Sequence, residues 1–276
     1  MIVLITGCSS GFGLLSAARL AAAGATVYAT MRNLASQTAL QAEVKRRGGQ
    51  VRILALDVTD DATIAEAVAQ IQREEGKLDV LINNAGYGLG GALEDLLESE
   101  LRGQMETNFF GVAKMIQACL PLLRKSKNAK IINISSVAGL VGVPGIGAYS
   151  ASKFALEGYS EALWYELGTF GISVTLIEPG TYPTEVQKKR VLTANFSNPN
   201  SHYLQENQTL LEATDRRVAR GKANPEEVAI LIEQVVNNPK PKLRYPIGRE
   251  AKAITILRRF APFRTVSRVL TRALFR

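Results

Sequence analysis

The chain has 276 residues, among them only two cysteines, one histidine and one tryptophan. Cys8 and Cys119 lie far apart with no CxxC pattern, so neither a disulfide framework nor a cysteine zinc site is indicated. His202 has no partner histidine and falls in an irregular polar stretch, which argues against a metal and for a loop or substrate-contact role. No apolar run reaches the ~18 residues of a membrane-spanning helix. The opening "MIVLITG" lacks a basic flank and is too short for a secretory leader, so it reads as a first strand and the chain as cytoplasmic. Acid is scarce at the other end. From residue 248 onward Glu250 alone faces Arg249, Lys252, Arg258, Arg259, Arg264, Arg268, Arg272 and Arg276, a net charge of +7 out of +8 for the whole chain. A basic tail on a near-neutral body is not the charge pattern of a uniformly basic nucleic-acid binder.

What is abundant is apolar sequence, 46% of the chain, enough for one large core. Strand-like runs ("IVLITG", "TVYATM", "VRILALDV", "LDVLINNAG", "KIINISS", "SVTLIEPG", "KLRYPIG") alternate with helix-like stretches near 14–25, 35–47, 61–74, 99–120, 149–167 and 225–236. Fully apolar strands alternating with helices predict an α/β doubly wound parallel sheet of about seven strands, covered on both faces. After Pro179 the alternation fails, and the polar stretch at about 182–220 reads as a lid or binding loop. The expected organisation is a domain over 1–248 and a helical extension over 249–276.

Between the first strand and first helix stands "TGCSSGFG". Gly7, Gly11 and Gly13 permit a tight turn, let backbone approach a pyrophosphate and allow close helix packing, with Ser9, Ser10 and Phe12 on the same loop. This predicts a dinucleotide site in a Rossmann-type domain. Cys8 within the turn reads as a small filler rather than a reactive thiol. At the end of the second strand no acid lies between Val27 and Glu43, whereas Arg32 is present. An acid there would bind the ribose of NAD and an arginine suits the 2′-phosphate of NADP, so NADP(H) is expected ahead of NAD(H).

Further along, "GAYSASKFALEG" places Tyr149 and Lys153 four apart, on one face of a helix. With "LDVT" at 56–59, "NNAG" at 83–86, Asn108, "NISS" at 133–136 and "PG" at 179–180, the chain resembles the single-domain short-chain dehydrogenase/reductase family up to its tail. Its "VYATMR" and "NNAGYG" are most similar to the hydroxysteroid and retinol dehydrogenase branch. The resemblance implies a catalytic set of Asn108, Ser136, Tyr149 and Lys153. Tyr149 would be the general acid or base, and an ammonium at Lys153 is expected to lower its phenol pKa from about 10. Ser136, thirteen residues before Tyr149, would hold the substrate oxygen, with Ser135 the neighbouring alternative on the opposite face of the strand. Asn108 would distort its helix and hold a water for proton relay. Lys153 and Tyr149 would also touch the cofactor, as would Asp57 and Val58 at adenine, Asn84, Ala85 and Gly86 at ribose, and Pro179, Gly180 and Thr184 at the nicotinamide. Tyr182 and Pro183 depart from the usual spacing just before Thr184.

The loops "YGLGGALED" and "VAGLVGVPGIG" and the stretch after 182 would build the pocket, and their apolar character suits a hydrophobic ketone, aldehyde or secondary alcohol of steroid, retinoid or acyl type. The family resemblance implies a homodimer or homotetramer through the helices near 99–120 and 149–167. In the tail, arginines recur every four residues opposite Phe263, Val266, Val269, Leu270, Ala273 and Leu274, with Pro262 at the start. Such a helix suits an anionic membrane surface, or packs on its own domain or on a subunit neighbour. An NADP-binding regulator or membrane-surface protein on the same fold is the alternative to an enzyme.

Overall fold

The computed structural model describes residues 1–183, 190–220 and 223–275. Its centre is a parallel sheet built from β1 (Ile2–Ile5), β2 (Thr26–Met31), β3 (Val51–Ala55), β4 (Val80–Asn83), β6 (Lys130–Ile134), β7 (Ser173–Pro179) and β9 (Arg244–Ile247). The strand order is β3-β2-β1-β4-β6-β7-β9, and every pairing is parallel. Two-residue periodicity divides the core: Ile2 and Leu4 of β1 join the cluster on one face, Val3 and Ile5 the cluster on the other. Helices α3 (Asp61–Glu75), α5 (Gly111–Leu123) and α6 (Gly147–Gly168) cover the first face. The second is covered by α1 (Gly11–Ala22), α2 (Thr38–Arg47) and α8 (Glu226–Asn237). Each fully buried Leu or Ile in these layers is worth about 1.5–3 kcal/mol. The doubly wound sheet expected from the alternation is therefore observed.

The strand order reverses between β1 and β4, so the carboxyl ends of these strands open a crevice at the switch point. The crevice is braced by Thr6, whose Oγ1 accepts from the backbone N–H of Asn84 and of Ala85, both at 3.0 Å.

Three elements differ from the sequence expectation. The helix expected over 99–120 is α4 (Glu98–Met105), a π-helical turn over Glu106–Phe110, and α5. The stretch after 182 contains a short strand β8 (Val191–Leu192), paired in parallel with β5 (Leu89–Gly90), and helix α7 (Leu204–Arg220). The tail is two helices, α9 (Arg249–Phe260) and α10 (Phe263–Phe275), broken at Ala261–Pro262 because proline has no N–H to continue a helix. Ala251 of α9 is buried where α9 meets β9 and the turn at 137–139, and Val266 of α10 is buried where α10 meets α7. Among the described residues no helix is long and apolar enough to cross a membrane.

Candidate active site

The β1–α1 loop is shaped by its glycines. Gly7 and Gly11 adopt φ of +72° and +59°, a region closed to most side chains. A Cβ on Gly7 would fall 2.8 Å from the Cα of Ala85, and one on Gly13 would fall 2.5 Å from the Gly7 oxygen and 2.4 Å from Nδ2 of Asn84. Asn84 fastens this contact by donating to the Thr6 and Gly7 carbonyls, each at 2.9 Å. Ser10, at the N-cap of α1, makes no side-chain cap, so the leading amides of the helix face the crevice uncapped. The result is a concave backbone cradle at a helix N-terminus, the surface an anionic pyrophosphate requires. The expected set Gly7, Ser9, Ser10, Gly11, Phe12 and Gly13 thus lies together, beside Asn84, Ala85 and Gly86.

Arg32, just past β2, is exposed and forms no ion pair among the described residues. Asp57 follows β3; its Oδ1 accepts from the N–H and hydroxyl of Thr59 at 2.9 and 2.8 Å, while Val58 is buried against the start of α5. Cys8 is buried, donates to the Ile5 carbonyl, and has its thiol pushed up to about 12 by burial, so it is a filler.

At the ends of β4 and β6 the four expected catalytic residues converge on α6. Lys153 is 6% exposed, and its Nζ donates to the Ile134 carbonyl at 2.7 Å. Its ammonium stands 5.6 Å from the centre of the Tyr149 ring. Burial lowers the Lys153 pKa to about 8, with Glu157 opposing. Burial also raises the Tyr149 phenol, and the Ser136 hydroxyl opposes that rise. The expected lowering of the phenol by Lys153 is therefore not what this structure has: the lysine is itself desolvated and its hydrogen bond goes to backbone. Ser136 is partly exposed at the start of the turn at 137–139, where its Oγ accepts from the Ala138 N–H at 3.1 Å. Ser135 is buried on the other side, beside Glu157, so the alternation of the strand selects Ser136 for the crevice.

Asn108 is fully buried within the π turn. Its Oδ1 accepts from the Tyr87 N–H at 3.1 Å, and its Nδ2 donates to the Tyr87 carbonyl at 2.9 Å and to Ser152 Oγ at 3.1 Å. Ser152 in turn donates to the Tyr149 carbonyl at 2.7 Å. The distorted helix thus joins the segment after β4 to the helix bearing Tyr149. Gln104, which sequence reasoning missed, is a second clamp: it is buried, donates to the Tyr87 carbonyl and accepts from the Leu89 N–H, both at 2.9 Å. Its position four residues before Asn108 was the available signal.

Pro179 is buried at the end of β7, and the Gly180 N–H donates to the Ile247 carbonyl at 3.0 Å. Thr184 lies outside the described residues. Tyr182 is buried, its ring edge-to-face with Phe12 at 5.6 Å, and its hydroxyl donates to Glu227 at 3.3 Å. The unusual "PGTYPT" spacing thus seats an aromatic ring against the glycine-rich loop. His202 is exposed, and no cluster of metal-ligating side chains occurs among the described residues.

The cleft beside Tyr149 is walled by the segment from Gly88, whose Cβ position would lie 3.9 Å from the Tyr149 ring, and by the loop before α6. Gly91 donates to the Gly145 carbonyl at 2.7 Å, and a Cβ on Gly145 would strike Leu210 of α7 at 2.9 Å. Asn207 of α7 accepts from the Ala92 N–H at 3.1 Å, and Ser201 donates to Asp95 at 2.7 Å. The segment from Ser201 through α7 therefore contacts both loops expected to build the pocket.

A family model described as short chain dehydrogenase matches residues 1–195. The chain belongs to the short-chain dehydrogenase/reductase family. Within it, the chain is 42% identical over 247 residues to a 3-ketodihydrosphingosine reductase of Bacteroides thetaiotaomicron, covering 90% of this chain and 87% of that protein. It is 38% identical to human retinol dehydrogenase 8, covering 93% and 84% of the two chains. A short-chain dehydrogenase/reductase from Burkholderia phymatum, solved in complex with NAD, superposes with a TM-score of 0.79 at 26% identity, covering 94% and 91%. These oxidoreductase relatives include the retinol dehydrogenase branch expected from the motifs.

Proposed function

We propose that the protein is an NADP(H)-dependent oxidoreductase acting on a hydrophobic ketone, aldehyde or secondary alcohol. The observation that carries this reading is the convergence of Ser136, Tyr149, Lys153 and Asn108 beside the glycine cradle. The cradle and the uncapped α1 amides fit a pyrophosphate, Arg32 supplies a free cation for a 2′-phosphate, and Asp57, Val58, Asn84, Ala85, Gly86, Pro179 and Gly180 border the same crevice. When bound, the nicotinamide supplies the hydride donor or acceptor.

The chain's own residues do the rest. Ser136 positions the substrate oxygen, and Tyr149 gives that oxygen its proton in reduction or takes it in oxidation. A phenol raised by burial is suited to remain protonated until a reaction partner draws on it. Lys153 is near its own titration point at neutral pH, which suits it to pass a proton toward the tyrosine. Asn108 and Gln104 fix the Tyr87–Leu89 wall so that these distances persist. The apolar, glycine-rich pocket loops and the names of the relatives, one acting on a ketosphingoid and one on retinol, support an acyl- or isoprenoid-like substrate. Exposed Phe110, Trp164 and Tyr165 on and beside α5 and α6 support a homo-oligomer through those helices.

The test is absorbance-monitored oxidation of NADPH and of NADH against long-chain ketones, retinaldehyde and steroid ketones. Faster turnover with NADPH supports the reading. Dinucleotide binding without turnover of any carbonyl or alcohol in the panel rejects it in favour of a binding protein.

A further inference from the structure

The tail presents a surface that hydride chemistry does not use. Where α9 turns into α10, Phe260 is 78% and Phe263 82% exposed, more than any other large apolar side chain among the described residues, with Ile256 at 62% on the same side of the bend. Beside them Arg259, Arg264 and Arg268 are exposed and form no ion pair among the described residues; Arg259 lies over the Phe260 ring at 5.5 Å, whereas Arg258 is stacked on Phe154 of α6 at 5.4 Å. The elbow is held from behind by buried Ala251 and Val266, so the two phenylalanines are carried on anchored helices.

We propose that this elbow docks the protein on an anionic lipid bilayer, with Phe260 and Phe263 entering the interface and the arginines pairing with headgroup phosphates. Apolar rings at the tip and cations around them are the two elements of interfacial binding, and each alone is weak. A second copy of this chain is a poor occupant, because two elbows each within a segment of net charge +7 repel and the remainder of the chain carries only +1. The whole-helix membrane face suggested by the periodicity is thereby narrowed to the bend, since Val266 is buried within the protein instead. Because α10 touches the lid helix α7, the docked face lies next to the cover of the proposed pocket. The inference does not depend on the identity of the substrate.

The experiment is co-sedimentation of the full chain with phosphatidylcholine vesicles, with and without phosphatidylglycerol, for the wild type, F260S/F263S and R259Q/R264Q/R268Q. Circular dichroism and sedimentation velocity accompany each variant. Binding is expected only with phosphatidylglycerol, falling about tenfold or more in either variant, with fold and oligomeric state unchanged. Absence of binding to anionic vesicles overturns the proposal. So does binding that the phenylalanine variant retains in full, which would indicate general polyanion affinity. Dissociation of an oligomer by F260S/F263S would instead make the elbow a subunit contact.

Discussion

Lys153 donates its hydrogen bond to the Ile134 carbonyl, while Tyr149, one helical turn earlier, has the lysine ammonium 5.6 Å from its ring centre. The end of β6 therefore sets the height of the lysine, and through α6 the place of the phenol. The lysine's anchor does not involve the phenol hydroxyl. Tyr149→Phe is accordingly expected to leave the fold intact and to lower kcat by about 10²–10⁴-fold, the usual worth of a positioned proton donor, far more than it weakens dinucleotide binding. Single-turnover kinetics alongside dinucleotide titration would check this. A mutant that keeps wild-type kcat would remove Tyr149 from the chemistry.

Arg32 is the only basic residue between β2 and α2, and it stands exposed beside the cradle. Arg32→Ala should weaken NADPH binding on the order of tenfold or more and leave NADH nearly unchanged, because only the former brings a phosphate dianion for the guanidinium to pair with. Isothermal titration with both dinucleotides gives the ratio. Equal losses for both would show that Arg32 does not discriminate between them.

The cradle itself is sterically closed to side chains. A Cβ on Gly13 would meet the Gly7 oxygen and Asn84 Nδ2 at 2.5 and 2.4 Å, and both of those atoms are held by hydrogen bonds that cannot give way freely. Gly13→Ala is expected to cost about 1–3 kcal/mol of stability by overpacking and to weaken dinucleotide binding. Thermal melts with and without NADPH read both effects. A Gly13→Ala protein with an unchanged melting temperature would mean that the loop relaxes at little cost.

These residues were legible in the sequence because each belongs to a local pattern. A strand's apolar run, a glycine turn and a four-residue helical spacing all declare themselves within a dozen positions, so the sheet, the cradle and the Tyr149–Lys153 pairing could be read directly, whereas their catalytic reading and Ser136 came through the family resemblance. What was not legible is wiring between distant segments. Gln104 looks like an ordinary helix residue until the chain brings Tyr87 beside it, and Asn108, named with its helix distortion through the family resemblance, gave no sign of its bonds to Tyr87 and Ser152. The tail shows both sides of this. Its charge was plain from the arginines, but the division into two helices and the exposure of Phe260 follow from what Ala251 and Val266 pack against.

The longest-range case is also the most consequential for pH. Glu178, at the end of β7 next to Pro179, is fully buried with neither carboxyl oxygen hydrogen-bonded. One guanidinium nitrogen, Arg244 Nε, lies 3.1 Å from Glu157 and 3.5 Å from Glu178, while Glu161 takes another nitrogen of the same side chain at 2.6 Å. The Nε–H is directed at Glu157 and leaves Glu178 without a hydrogen bond, and Lys153 acts on Glu157 from the same helix, α6. Burial, then repulsion from Glu157, pushes the Glu178 pKa up to about 8, with Arg244 opposing. The folded protein therefore holds a proton that the unfolded chain has released above the ordinary carboxyl range. Stability contributed by this group is greatest at low pH and is lost as pH rises toward and through about 8. Glu178→Gln, which cannot ionise, should gain on the wild type as pH rises from about 4.5 to about 8 and keep a constant advantage above that, on the order of a few kcal/mol. Differential scanning calorimetry across that range decides the matter. Parallel melting curves for the two proteins would place the proton elsewhere, on Glu157, whose pKa is raised by the same burial.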